Sequence, residues 1–155
     1  MATFDFKDAQ ELGRVFKTHR VKYLFFGKSG AILLGYSDTT QDVVLYLHKG
    51  WENCEKVVAS LLELGFRLTQ TGQEEIGRGK GFVQLRNGPF NLDLIFAPDG
   101  IDRFEDAWKR RVKRHGLPIA SLDNIIGSKK AANRRRDREA LPRLVSFKRW
   151  LEKNQ

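Results

Sequence analysis

The stretch YLFFGKSGAILLGYSDTTQDVVLYL runs from Tyr23 to Leu47 and reads as strand, turn, helix, loop and strand. Val21 to Phe26, apolar throughout from Tyr23 onwards, suits a buried strand. Gly27 begins a turn, and Ala31 to Leu34 suit a short helix packed on a sheet. Asp38 to Gln41 is polar and loop-like, and Val43 to Leu47 is rich in β-branched and aromatic residues, as strands are. Gly27-Lys28-Ser29 are also the closing letters of a phosphate-binding P-loop, whose first glycine would have to stand where this chain has Lys22. The bulky run from Tyr23 to Phe26 cannot form the open loop whose N–H groups cradle phosphate. A nucleoside triphosphatase of that type is not expected, and Lys28 reads equally as a solvated lysine at a helix start.

Outward from this stretch the pattern alternates. Ala9, Leu12, Val15 and Phe16 predict an amphipathic helix over 8–18. Trp51, Cys54, Val57, Val58, Leu61 and Leu62 form an apolar stripe on a second helix, which Gly65 ends. Phe66 to Leu68 suit a short strand, and 69–81 reads as a flexible turn region. Phe82 to Arg86 and Phe90 to Phe96 read as strands joined through the hairpin signal Asn87-Gly88. Ile101 to Lys109 suit a helix, and Arg111 to Ile119 an extended basic pair around Gly116. Ser121 is a good N-cap for a helix from Leu122 to Asn133. A last helix runs towards Leu151, with Pro142 expected in its first turn or as a break. Phe25, Phe26, Phe82, Phe90 and Phe96 are expected in the core. This order predicts a single α+β domain over 1–155, a mixed sheet flanked by helices, with helices at the C-terminal end.

Composition narrows the classes. Hydrophobic residues are 41% of the 155, enough for a packed core. No apolar run is long enough to span a membrane, and the start MATFDFKDAQ is unlike a signal peptide. Cys54 is the only cysteine, so no internal disulfide exists and a cytoplasmic location is expected. His19, His48 and His115 lie far apart and form no metal motif. The net charge of +9 is one-sided: between Arg103 and Lys153 stand 16 Lys and Arg against 6 Asp and Glu. A basic third of this kind favours a polyanionic partner, either nucleic acid or a triphosphate.

Gly27-Lys28-Ser29-Gly30, followed by Gly35, Thr40 and Asp42 on the strand Val43-Val44-Leu45, resembles the nucleotidyltransferase superfamily, in its minimal bacterial branch. That family has a Gly-Gly or Gly-Ser turn, a helix, and Asp-x-Asp on the next strand. A third carboxylate follows on a later strand, and Asn91-Leu92-Asp93-Leu94-Ile95 supplies it. Leu122 to Lys129 look like the family's helix ending Ile-x-Ser-Lys, and Arg134 to Asp137 like its Arg-x-x-Asp. The resemblance thus extends from about Tyr23 to Leu141. It implies a nucleoside triphosphate substrate, and transfer of a nucleoside monophosphate to a hydroxyl acceptor. It also implies Mg²⁺ held by carboxylates, which activates the hydroxyl and steadies the leaving pyrophosphate. Carried over residue by residue, Asp42 and Asp93 are the metal ligands and catalytic groups. Gly27 and Ser29 hold the phosphates, at a turn whose N–H groups favour anions. Lys28 or Lys129 meets the triphosphate charge.

The chain departs from the family at the centre of this pattern. The second Asp of Asp-x-Asp is Val44, which cannot bind a metal. The second glycine of the turn is Lys28, the family's His is Leu34 and its Arg is Asp38. Two functions stay open. One is nucleotidyl transfer, impaired at Val44, with RNA as the preferred acceptor. The other is a non-catalytic module binding nucleotide, RNA or a protein partner, as within a toxin–antitoxin pair. The basic third carries its own test. Arg110, Arg111, Arg114 and the run Arg134 to Arg136 are expected to bind RNA through phosphates. Affinity for a single-stranded RNA should fall about tenfold or more between roughly 50 and 200 mM salt. An affinity unmoved by salt in a filter-binding titration would remove that expectation.

Overall fold

The computed structural model describes residues 4–101 and 103–154. Among these the chain opens with α1 (Phe6–Thr18), β1 (Tyr23–Phe26), α2 (Gly27–Leu33) and β2 (Asp42–Leu47). α3 (Trp51–Glu63), α4 (Gln70–Gly77), β3 (Phe82–Leu85) and β4 (Asn91–Ile95) follow. α5 (Phe104–Lys109), β5 (Val112–Arg114), β6 (Leu117–Ile119), α6 (Leu122–Ala132) and α7 (Arg135–Lys153) complete it. The strands form one mixed sheet in the order β3-β4-β2-β1-β6-β5. β1 runs antiparallel to β2 and parallel to β6, while β2 runs parallel to β4. The architecture is α+β, as the sequence predicts. None of the described helices is long and apolar enough to cross a membrane.

The central strands are buried on both faces, which is why they read as continuous apolar runs. Every residue of β1 is buried. Tyr23 and Phe25 face α1, with Phe16 edge-on to Tyr23 at 4.9 Å between ring centres and Tyr23 edge-on to Phe25 at 5.5 Å. Phe26 faces the other way, towards Tyr46, and Tyr46 meets Phe104 of α5. α1 starts at a capping box. The Asp5 carboxylate accepts from Lys7 N at 2.7 Å, and Asp5 N donates to Asp8 at 3.3 Å. Ser121 caps α6 by accepting from Asn124 N at 3.1 Å. On α3, Cys54, Val57 and Leu61 are buried as the stripe predicts, but Trp51 at the first turn is 64% exposed.

Several elements differ from the sequence reading, each for a local reason. The predicted flexible region at 69–81 holds α4, because Thr69 caps it by accepting from Gly72 N at 2.9 Å and Ile76 anchors it in the core. Phe66 to Leu68 form no strand. Phe66 is buried in a loop, edge-on to Phe90 at 5.2 Å between ring centres. That packing also widens the hairpin. Leu85 pairs with Leu92 and Gln84 with Asp93, so the connection covers residues 86–90 rather than the two-residue turn at Asn87-Gly88. Gly88 lies against the Phe66 ring so closely that a Cβ there would collide with it. α5 starts at Phe104, and the expected start near Ile101 runs into residue 102, outside the described residues. Pro142 sits inside α7 without ending it. It lies on the exposed side, where water can serve the carbonyl that loses its N–H partner. Phe82, expected in the core, is half exposed on the edge strand.

Gly30 fixes how closely α2 lies on β1. A Cβ there would fall 2.9 Å from the Phe25 carbonyl oxygen. Gly30→Ala is expected to lower stability by about 1–3 kcal/mol, measured by urea unfolding. Gly127→Ala in α6, where a Cβ meets nothing within 4 Å, is expected to raise it by about 0.4–1 kcal/mol. Equal effects at the two positions would contradict this packing.

Candidate functional site

One face of the sheet carries the candidate residues. Asp42 and Val44 alternate onto the same face of β2. β4 lies in parallel register, with Asn91 opposite Asp42 and Asp93 opposite Val44. β3 then sets Gln84 opposite Asp93. Gly27 lies over Val44 with φ of +59°, a left-handed backbone that favours glycine. A Cβ there would stand 3.3 Å from the valine side chain. α6 brings Ser128 and Lys129 to the opposite wall, and Arg134 and Arg136 close it. All of these but Asn91, together with Phe26, Lys28, Thr40 and Phe82, line a cavity of about 450 Å³. A second cavity of about 330 Å³ lies beside it, lined by Tyr36, Asp38, Arg143 and Leu144 among others. Lys28, Lys129 and Arg136 line both.

Asp42 and Asp93 reach one cation, and that cation is Arg86. Its Nη1 lies 2.8 Å from Asp93 Oδ1 and its Nη2 lies 4.0 Å from Asp42 Oδ1. Asp93 Oδ1 is buried and accepts no well-aligned hydrogen bond, so Coulomb attraction carries this contact. Burial pushes the Asp93 carboxyl above the usual carboxylate range. Arg86 pulls it down, and the nearby Asp42 adds to the rise. Sequence reasoning missed Arg86. The signal was present in the alternation Phe82, Gln84, Arg86, which points three side chains to the face that bears Asp93.

The other expected residues divide between cleft and scaffold. Lys28 lines the cleft, with Nζ 3.1 Å from Asp38 Oδ2, and Arg143 Nη1 approaches the same oxygen at 3.7 Å. The two departures from the family pattern, Lys28 and Asp38, therefore compensate each other. The Thr39 N–H, and then Lys28, hold the Asp38 carboxyl below its usual range. Ser29 is fully buried and stands apart from the cleft lining. Its hydroxyl donates to the Phe26 carbonyl at 2.9 Å and accepts from Val44 N at 2.9 Å, which pins α2 between β1 and β2.

Lys129 lines the cleft with Nζ 3.7 Å from Asp137 Oδ1. Burial lowers the pKa of its ammonium, and Asp137 pulls it back up. Asp137 is fully buried on α7 and accepts from Arg134 Nε at 2.7 Å and Arg134 N at 3.1 Å. The Arg-x-x-Asp motif thus ties α6 to α7 and sets the wall of the cleft. The arginines of the basic third have different local roles. Arg134 and Arg136 turn into the cleft, whereas Arg111 stacks on Trp108 at 3.9 Å.

Magnesium, which the resemblance implies, can be tested against these donors. Among the described residues no three His, Cys, Asp or Glu side chains are placed to hold a metal ion. Asp42 and Asp93 are two carboxylates with an isopropyl group at the third position and a guanidinium already between them. Mg²⁺ needs an octahedron of oxygens, and a fixed neighbouring cation repels it. The residues present do not fit a two-ion centre.

The Asp93 shift has a consequence for stability. An acid whose folded pKa is raised contributes stability below its unfolded pKa of about 4 and loses it as pH rises through the folded value. Asp93→Asn is therefore expected to match or exceed the wild type in melting temperature at pH 7. That advantage should shrink as pH falls towards about 4. A variant less stable at pH 7 and relatively better in acid would reverse the sign assigned here.

No family model and no curated protein matches this chain. Solved structures do. A candidate nucleotidyltransferase from Thermotoga maritima overlaps 96% of this chain and 92% of its own at 16% identity, with a TM-score of 0.59. The lincosamide antibiotic adenylyltransferase LnuA, solved with lincomycin bound, overlaps 94% of this chain and 99% of its own at 14% identity, with a TM-score of 0.66. Both overlaps run nearly end to end, through the strands that carry Asp42 and Asp93 and the helices that close the cleft. The architecture that the glycine turn and its two flanking strands imply is thus the one observed, and this chain has the nucleotidyltransferase fold.

Proposed function

We propose that this chain binds a nucleoside triphosphate in the cleft and has lost efficient transfer of its nucleotide. The observation that carries the reading is the register of β2 on β4, in which Val44 stands opposite Asp93. A carboxylate at that position would complete the metal-binding set that the fold resemblance implies, and valine supplies no oxygen. The binding half of the reading rests on size and charge. A cavity of about 450 Å³ is in the range of nucleotide-sized sites. Lys28, Lys129, Arg134 and Arg136 place cations on its walls, suited to a polyphosphate. The likeness to an adenylyltransferase supports an adenine nucleotide as the first ligand to try.

The chain's own residues then hold and orient the ligand. Lys28 and Lys129 have partners, Asp38 and Asp137, that fix where their ammonium groups sit. Arg136, which lines both cavities, marks the seam along which a long ligand would lie. Labelled ATP with Mg²⁺ is expected to bind the wild type with no transfer to RNA or small hydroxyl acceptors above background. Loss of one such electrostatic group costs on the order of 10²–10³ in rate. Val44→Asp supplies the third carboxylate and, combined with Arg86→Gln to clear the place between Asp42 and Asp93, is expected to recover measurable transfer. Rapid transfer by the wild-type chain would show that position 44 is no ligand position. Failure of ATP to bind either protein would overturn the nucleotide reading.

A further inference from the structure

We infer that Arg86 takes the place of the divalent cation, so that this cleft accepts a di- or triphosphate free of metal. The inference rests on the nucleotide-binding reading and deepens it, but a different observation carries it. The guanidinium lies between Asp42 and Asp93, the two carboxylates that would otherwise share a metal ion. Left alone, those carboxylates would repel any phosphate that entered the cleft. With Arg86 between them its single positive charge offsets half of their combined charge, the part of a divalent ion's work that a guanidinium can do.

A guanidinium has five N–H donors in a planar fork and no way to lose its charge near neutral pH. Asp93 meets Arg86 off the hydrogen-bond direction, and Asp42 lies at the outer limit of an ion pair. Neither contact saturates the fork. The Arg86 side chain is 38% exposed, so its donors remain accessible from the cavity it lines. It can therefore bridge carboxylate and phosphate at once.

Charge selects the metal-free ligand. Lys28, Arg86, Lys129, Arg134 and Arg136 line the cavity with Asp42 and Asp93, and Asp38 and Asp137 pair with three of these cations, so five cations stand against four carboxylates and leave a surplus of one positive charge. A polyphosphate stripped of magnesium carries more negative charge than its complex and gains more from that surplus. The complex must also bring a divalent ion close to Arg86, where like charges repel. The arginine can neutralise and orient. It cannot present an ionised hydroxyl as a metal does, so it suits a binding site better than a transfer centre.

Calorimetric titration with ATP tests this, in EDTA and in excess Mg²⁺, on the wild type and on Arg86→Gln. The glutamine removes the charge but keeps a donor beside Asp93. The wild type is expected to bind ATP in EDTA at least as tightly as in Mg²⁺. Arg86→Gln should lose about tenfold or more in EDTA, the worth of one charged hydrogen bond. It should regain part of this on adding Mg²⁺, because Asp42 and Asp93 are then free to take the ion. Wild-type binding that needs Mg²⁺ would overturn the role of Arg86 while leaving nucleotide binding intact. Equal affinity of wild type and Arg86→Gln in EDTA would do the same. No ATP binding in either condition would remove both readings. Should Arg86→Gln fail to fold, the wild-type comparison of EDTA with Mg²⁺ decides alone.

Discussion

Strands β2 and β4 lie side by side in parallel, from Asp42 opposite Asn91 to Tyr46 opposite Ile95. Parallel strands cannot be joined by a tight turn, so the chain must leave the sheet and return. It does so through α3, α4 and the edge strand β3. Val43, Leu45, Leu92 and Leu94 fill one face of this pair and are nearly inaccessible to water. A slip of one residue would turn them outwards and send Asp93 into the core. The position of the two carboxylates is therefore fixed by the apolar residues between them, and the cleft inherits its geometry from hydrophobic burial on the opposite face.

Around that ladder the polar groups are arranged as closed sets. Ser29 joins α2 to both neighbouring strands through one hydroxyl. Asp137, with no exposed surface, is satisfied by Arg134 and Lys129. Lys28 and Asp38 form a pair where the family resemblance would give a glycine and an arginine. Arg86 closes the set formed by Asp42 and Asp93. Each charge that departs from the family pattern has its complement nearby, so the site is balanced as it stands rather than left with an unpaired buried charge.

Much of this was legible from residue spacing. The strand from Tyr23 to Phe26, the helix after it and the strand beginning near Asp42 follow directly from apolar runs and glycine placement. What the sequence did not disclose depends on contacts between distant segments. The Asn87-Gly88 pair predicts a tight hairpin, but attraction between Phe66 and Phe90 draws the connection outwards and changes the register. Ser29 looked like a phosphate ligand beside a glycine, yet burial commits its hydroxyl to the backbone of Phe26 and Val44. α4 was obscured by its glycines, and a single buried isoleucine together with one threonine cap outweighs them. Arg86 was hidden because an arginine beside a turn usually faces solvent, and only the strand register shows which carboxylates it meets.

The widened connection after β3 links the cleft to a distant part of the chain. Arg86 begins that connection, and Phe90, at its end, is seated on Phe66 in the loop that follows α3. Both rings are buried and belong to the hydrophobic core, so the connection that begins with Arg86 is anchored in the core at its far end. A segment tied down by buried contacts opens at a higher free energy than a loop without them. The guanidinium is thereby tethered by β3 on one side and by a core aromatic pair on the other, and Asp42 and Asp93 keep their counter-charge for as long as that packing holds.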